Sequence, residues 1–251
     1  MRRLLITGAL ALVGLVLLYG VGKMPPMNTR LAPDKTHVVP RYLEKGEEEA
    51  GAKNIITGII LNYRGYDTSG EVTVIFSALC AVIAILDREK KGRSRSGVDA
   101  SAIQTSVIVK TVVRFSLPVV VLFAVYVILH GEPSPGGGFQ GGAVIGASVI
   151  LFTLVFGLPV STRRMPPGSR IPLESVNVLG FLAMGFLGVA LGVEFLTYLL
   201  PGIHGALADT VRSLMLTVIE IGIGVGGGVI FVSIVFTMIR EDQYELQQDT
   251  A

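Results

Sequence analysis

The strongest constraint in this sequence is a series of continuously apolar runs, nearly free of charge, separated by short segments that hold most of the ionisable residues. A hydrocarbon core about 30 Å thick needs roughly 20 apolar residues in a helix to cross it. That length criterion picks out about six spans: Leu4–Val21, Glu71–Leu86, a third ending at Leu129, Gly141–Val160, Leu173–Leu200 and Ser213–Ile239. Within each run apolar residues follow one another instead of alternating with period two, which predicts helices and excludes barrel strands. The expected fold is an all-α integral membrane protein, multi-pass in the cell membrane.

Composition removes several function classes. Charged residues make up 16% of the chain and hydrophobic ones 51%, whereas a soluble domain carries about 25% charged residues; a water-soluble enzyme is excluded. Twenty-one Lys and Arg against 19 Asp and Glu leave a net charge of +2, so nucleic-acid binding has no electrostatic footprint. A single cysteine, Cys80, forms no internal disulfide or thiolate cluster, and the three histidines lack metal-ligand spacing. Nucleotide-binding loops and nucleophile elbows are missing too. The chain is expected to be noncatalytic and to carry no cofactor or metal.

Between the spans, the segment from Gly22 to Lys53 is polar and broken by Pro25, Pro26, Pro33 and Pro40. Asn54 to Leu61 is apolar but too short to span, and is expected at the interface or packed as a half-helix, leading into a turn from Tyr63 to Gly70. The stretch from Asp87 to Gln104 is rich in Arg and Lys and reads as a linker between two domains. Arg2 and Arg3 before the first run also fit a signal peptide, although the run is longer than a signal core and lacks a small-residue cleavage site. Placing the basic linker, Arg163, Arg164, Arg170 and Arg240 on the cytoplasmic side puts both termini there.

Charges inside a span cost about 2.5 to 3.5 kcal/mol on insertion scales and therefore face water or a partner. Glu194, near the end of the fifth span, and Glu220, in the sixth, are expected at similar depths, near 10 Å below the outer surface at ~1.5 Å per residue. They either line an ion or proton route, or hydrogen-bond a helix of a partner subunit or reach the interface and move nothing. Lys110 and Arg114 at the start of the third span either feed a polar axis or snorkel to the headgroups. His130, beside Glu132, either titrates in a proton exit or is simply solvated. Pro135, Gly136, Gly137 and Gly138 form a sharp structural turn. Arg64 and Asp67 are expected to pair, and Glu71 to cap the following helix at its positive end. Gly142 with Gly146, Gly188 with Gly192, Gly222 with Gly226, and Gly224 with Gly228 have the spacing of close helix contacts.

Two stretches resemble known proteins. The segment Leu129-His130-Gly131-Glu132-Pro133-Ser134-Pro135-Gly136-Gly137-Gly138-Phe139-Gln140-Gly141-Gly142 resembles the signature of the B-type subunit of the multisubunit Mrp-type Na+/H+ antiporters. The likeness continues to Thr217-Val218-Ile219-Glu220-Ile221-Gly222 and covers about Ala100 to Arg240; Glu132 departs from it, standing where Asn is expected. Upstream, Ile59-Ile60-Leu61-Asn62-Tyr63-Arg64-Gly65-Tyr66-Asp67-Thr68-Ser69-Gly70-Glu71 resembles the C-terminal part of the large, A-type antiporter subunit, found as a small separate protein in membrane-bound hydrogenases and sulfane-sulfur reductases.

The resemblance implies a fusion: residues 1–99 as the tail of the A-type subunit, with two spans, an outer loop and the basic linker, and residues 100–251 as a four-helix domain like the B-type subunit. It further implies a noncatalytic subunit of a Na+ and H+ translocating module in a respiratory complex, beside membrane proteins resembling the A, C, D, E, F and G components of the antiporter and hydrogenase-like redox subunits. The alternatives are a component of a stand-alone antiporter and an assembly scaffold with no ion route.

Overall fold

The computed structural model describes residues 2–24, 38–90, 106–198 and 202–248. Among them the protein is helical and contains no strand. The helices are α1 (Arg2–Gly22), α2 (Val38–Ala50), α3 (Ile55–Gly58), α4 (Gly65–Lys90), α5 (Val107–Leu129), α6 (Gly138–Phe156), α7 (Leu158–Arg164), α8 (Pro167–Ala190) and α9 (Ala206–Gln248), with a π-helical turn at Ile59–Tyr63. Five are long and apolar enough to cross a membrane: Gly65–Leu86, Val107–Leu129, Gly138–Phe156, Gly168–Ala190 and Ala206–Ile239. Ile6–Gly22 is a shorter apolar helix, in line with the expected total of about six. The chain separates into two compact units, Met1–Lys45 and Gly46–Ala251. The expected domain boundary at 99/100 lies outside the described residues.

In the larger unit α9 is the most enclosed of the spanning helices, packed by α4, α6 and α8. The outer helices point large side chains away from the protein, such as Phe115, Val119 and Leu122 of α5 and Val74 and Ile85 of α4. Apolar surface this extensive belongs in lipid or against other subunits.

The α6/α9 contact rests on glycines. A Cβ on Gly138 would overlap the backbone oxygen of Glu220, one on Gly142 that of Gly224, and one on Gly228 would lie 2.8 Å from the backbone oxygen of Gly142. Gly138, Gly142 and Gly146 are four residues apart and so share one face of α6; Glu220, Gly224 and Gly228 do the same on α9. Hydrogen side chains let the two backbones touch, which is how membrane helices associate where burial from water supplies no drive.

Several boundaries differ from the sequence expectation. The fifth span ends at Ala190, ten residues earlier than expected. Gly192, at φ +83°, adopts the left-handed conformation that closes a helix. Its N–H donates to the Val189 carbonyl at 3.0 Å and that of Val193 to the Gly188 carbonyl at 3.0 Å. The apolar residues beyond this stop turn back into the protein: Leu196 and Tyr198 are buried, and the Tyr198 hydroxyl donates to the Leu61 carbonyl at 3.2 Å. Burial pushes the Tyr198 phenol above its ordinary pKa.

The expected loop from Ser161 to Pro172 is largely helical: Pro159 and Pro167 stand in the first turns of α7 and α8, where a proline gives up no hydrogen bond, and Pro172 is carried inside α8. The turn expected from Tyr63 to Gly70 shrinks to Arg64, since α4 already starts at Gly65. α9 begins at Ala206, seven residues before Ser213. Its first turns are held by Arg212, which donates to the Glu48 carbonyl at 3.0 Å and pairs with Asp209 at 3.2 Å.

Replacing Gly142 with Val is expected to force α6 from α9 and to lower stability by about 2 kcal/mol, an ordinary overpacking penalty. Gly180→Ala, at a position with open space around its Cα, is expected to leave it unchanged. Thermal unfolding of the detergent-solubilised protein distinguishes the two.

Candidate functional site

Asn54 is the residue from which the site is assembled. It caps α3 by accepting from the Ile56 N–H at 3.1 Å. Its side-chain amide donates to the carbonyls of Gly131 and Ser134, each at 2.8 Å, and its own N–H donates to the Glu132 carbonyl at 2.9 Å. The α5–α6 connection is thereby pinned to the start of α3. Of the two placements expected for Asn54 to Leu61, at the interface or packed as a half-helix, the short α3 and the π turn take the second, against that connection. In the π turn the Arg64 N–H reaches back to the Ile59 carbonyl at 2.7 Å, and the Thr68 hydroxyl donates to the carbonyl of Ile60 at 2.7 Å. Such turns recur at functional sites.

Glu220 projects from α9 into this junction and is buried. The N–H of Gly138, at the first turn of α6, donates to its Oε2; a helix N-terminus favours negative charge. Thr57 Oγ1 lies 3.3 Å from Oε1 and 2.6 Å from the Gly131 carbonyl. A hydroxyl carries one proton, so Thr57 donates either to Gly131 or to Glu220. When Glu220 is ionised it accepts from Thr57; when protonated it can donate to Thr57, whose own proton then goes to Gly131. Both protonation states keep their hydrogen bonds. A Cβ on Gly131 would sit 2.9 Å from the Glu220 carboxyl carbon, so this glycine makes room for the side chain.

A cavity of about 200 Å³ adjoins Glu220, lined also by Thr57, Thr68, Gln140 and Glu71. That is room for several waters, and the lining offers polar partners for them. Glu71 is exposed and Glu220 buried, so the cavity joins a surface carboxylate to an interior one.

The other expected residues fall into place around this centre or away from it. Arg64 and Asp67 form the expected ion pair, with Nη2 2.5 Å from Oδ2. Glu71 is not a cap: it sits in the second turn of α4, beyond the orphan amides of the first. Pro135 and Gly136–Gly138 make the sharp connection expected of them. The Gly137 N–H donates to the Val127 carbonyl at 3.0 Å, and a Cβ on Gly136 would overlap that same oxygen. His130 is tied to its own helix, its Nδ1 2.9 Å from the Tyr126 carbonyl and its ring stacked on Tyr126.

Glu194 lies in the exposed turn after α8, outside any span, so it does not share the burial of Glu220. Glu220 itself is fourteen residues into α9, about 21 Å from its start at ~1.5 Å per residue, instead of 10 Å. Arg114 packs over Phe156 at 5.8 Å, at the C-terminal end of α6, whereas Glu220 meets the N-terminal end. Lys110, one turn earlier on α5, belongs with it. These cations and Glu220 therefore occupy opposite ends of a 19-residue helix.

A second polar cluster is not among the sequence expectations. Arg170, Glu174 and Asn177 lie along one face of α8 and are all buried. Arg170 Nη1 donates to Ser233 Oγ at 3.4 Å, Ser233 Oγ bonds Glu174 Oε1, and the Arg170 guanidinium covers Phe236 at 4.9 Å. The spacing of three and four residues is the signal the sequence offers for it. Pro166, Pro167 and Pro172 mask that signal by making the segment resemble a loop.

Residues 108–233 match a family described as a domain related to the MnhB subunit of Na+/H+ antiporter. The chain belongs to this MnhB-related family. Residues 15–102 match a second family, described as the MBH component MbhE.

This MnhB-related chain is 27% identical over 191 residues to a protein of Rhizobium meliloti (strain 1021) named as a probable A/B component of a K+/H+ antiporter, covering 67% of this chain and 18% of that one. It spans less than two thirds of the length of the relatives that head its sequence matches. A chain of the membrane-bound sulfane sulfur reductase, an archaeal respiratory membrane complex, superposes with a TM-score of 0.62 at 29% identity, over 94% of this chain and 97% of that one. The Mrp complex from Dietzia sp. DQ12-45-1b shares the fold, with a TM-score of 0.65 at 24% identity, over 97% of this chain and 26% of the matched one.

Thr57→Val is expected to leave one oxygen of Glu220 without its donor and to destabilise the protein by about 1–3 kcal/mol. Thr57→Ser is expected to restore most of that. Unfolding of the two variants in detergent measures the difference.

Proposed function

We propose that this chain is a noncatalytic membrane subunit of a multisubunit respiratory complex of the sulfane-sulfur-reductase or membrane-bound-hydrogenase type, within its Na+ and H+ translocating module. The observation that carries this is the nearly end-to-end likeness to one chain of such a complex at 29% identity. In the Mrp comparison this chain corresponds to only 26% of the matched chain, which favours the respiratory complex over a stand-alone antiporter. Partners on this reading are membrane proteins resembling the A, C, D, E, F and G components of the antiporter, together with redox subunits that carry the electron chemistry. Both termini face the cytoplasm.

The Glu220 junction supports a part in ion movement over a purely architectural one. A scaffold needs no buried carboxylate beside a cavity that also reaches Thr57, Thr68, Gln140 and Glu71, and such a group in a span is costly unless it has a use. On this proposal a proton or Na+ enters past Glu71, meets Glu220, and is held or released as Thr57 switches between Gly131 and Glu220.

Two measurements test the proposal. Isolation of the complex from native membranes is expected to bring iron–sulfur or nickel–iron subunits with this chain; antiporter components alone would overturn the assignment. Glu220→Gln, which keeps the shape and the Gly138 contact, is expected to assemble normally while Na+-dependent coupling falls at least about tenfold, equivalent to ~1.4 kcal/mol. Full coupling in an assembled variant would leave the scaffold reading standing.

A further inference from the structure

At the end of the larger unit remote from Glu220, helices α5, α6 and α7 enclose an open groove of about 1010 Å³. Its walls are apolar, built by Leu117, Val121 and Leu122 of α5, Val149 of α6 and Val160 of α7. Its polar wall residues are already engaged: Ser148 Oγ donates to the Val144 carbonyl at 2.7 Å, and Ser161 Oγ accepts from Thr153 Oγ1 at 2.9 Å. The charges that line it are Arg114 and Arg164, both exposed.

The guanidinium of Arg114 lies 5.8 Å from the Phe156 ring centre and that of Arg164 lies 5.1 Å from the Phe152 ring centre. A cation over a ring keeps N–H donors that the ring does not consume, and these remain able to bond an anion. Neither arginine pairs with a carboxylate among the described residues. Two guanidiniums at one end of an apolar groove thus present N–H donors suited to an anion.

We propose that this groove binds one anionic phospholipid, with its phosphate between Arg114 and Arg164 and an acyl chain along the α5–α6 wall. Arginine donors match phosphate oxygens in a bidentate fork, which a zwitterionic headgroup neutralises less well. Depth argues for lipid over a helix of another protein. Arg114 to Leu122 covers about 12 Å along α5 at ~1.5 Å per residue, close to half of a hydrocarbon core about 30 Å thick. The groove therefore accompanies a chain through one leaflet, whereas a crossing helix would need the full thickness. Its charge is confined to one end, as a lipid's is.

The test uses the assembled complex isolated from native membranes in mild detergent. Phospholipid bound per complex is measured by mass spectrometry for wild type and for the Arg114→Gln, Arg164→Gln double variant. The expected result is an anionic phospholipid that survives purification in wild type and drops at least about fivefold in the variant, with Arg114→Lys, Arg164→Lys intermediate. In the same complex, a photoreactive amino acid at Leu122 of the otherwise unaltered chain is expected to crosslink to lipid. The crosslink needs no charge variant, so it decides the matter even where the double variant fails to assemble. Equal lipid retention in wild type and an assembled double variant overturns the proposal, as does a Leu122 crosslink to another protein of the complex.

Discussion

The contact between α6 and α9 is the interaction on which the larger unit depends. Inside a membrane there is no burial from water to drive helices together, so close van der Waals approach must do so. Gly138, Gly142 and Gly228 provide it by leaving nothing between the two backbones. The approach also places functional groups. Because α6 lies directly on α9, the first amide of α6 meets the Glu220 carboxylate, and a junction that packs two helices is also the place where an ionisable group is held.

Around that contact the chain adds pieces too short to stand alone. Four residues of α3 and a π turn of five do not make a stable helix by themselves. They are held by Asn54, which fastens them to the α5–α6 connection, and by Tyr198, whose hydroxyl reaches the Leu61 carbonyl from the loop beyond α8. Segments far apart in sequence therefore close over Glu220. The cavity next to it is lined by α3, the π turn and α4 on one side and by the start of α6 and α9 on the other.

Much of this is legible in the residues. The apolar runs mark the helices, since a spanning helix is set by length and hydropathy alone. Gly142 with Gly146 and Gly224 with Gly228 mark the α6/α9 contact, whereas a Cβ on Gly192 or Gly222, at the same spacing, would meet nothing closer than 3.9 Å; Glu220 stands out as a carboxylate deep in an apolar run. Other features are not legible. Glu194 sits in an equally apolar stretch, yet the chain leaves the helix at Gly192, and Leu196 and Tyr198 beyond it are buried by folding back instead of by spanning. Glu71 reads as a cap because the apolar run begins there, six residues after the true start of α4 at Gly65. Arg170 reads as a loop residue because prolines usually mark breaks, although in a first turn they are tolerated.

What the sequence by itself determined is the helical membrane character, the approximate number of spans and the small residues at the crossing. These follow from local properties: the length of an apolar run, the absence of a Cβ, the price of a charge in lipid. Only the tertiary structure decided which carboxylate is enclosed, what donates to it, and that the exposed Glu71 shares its cavity. Those facts depend on which segments distant in sequence come within hydrogen-bond reach. Thr57 and Glu220 are 163 residues apart, yet they lie 3.3 Å from each other. No local pattern encodes that separation, because it is the sum of every turn and crossing between them.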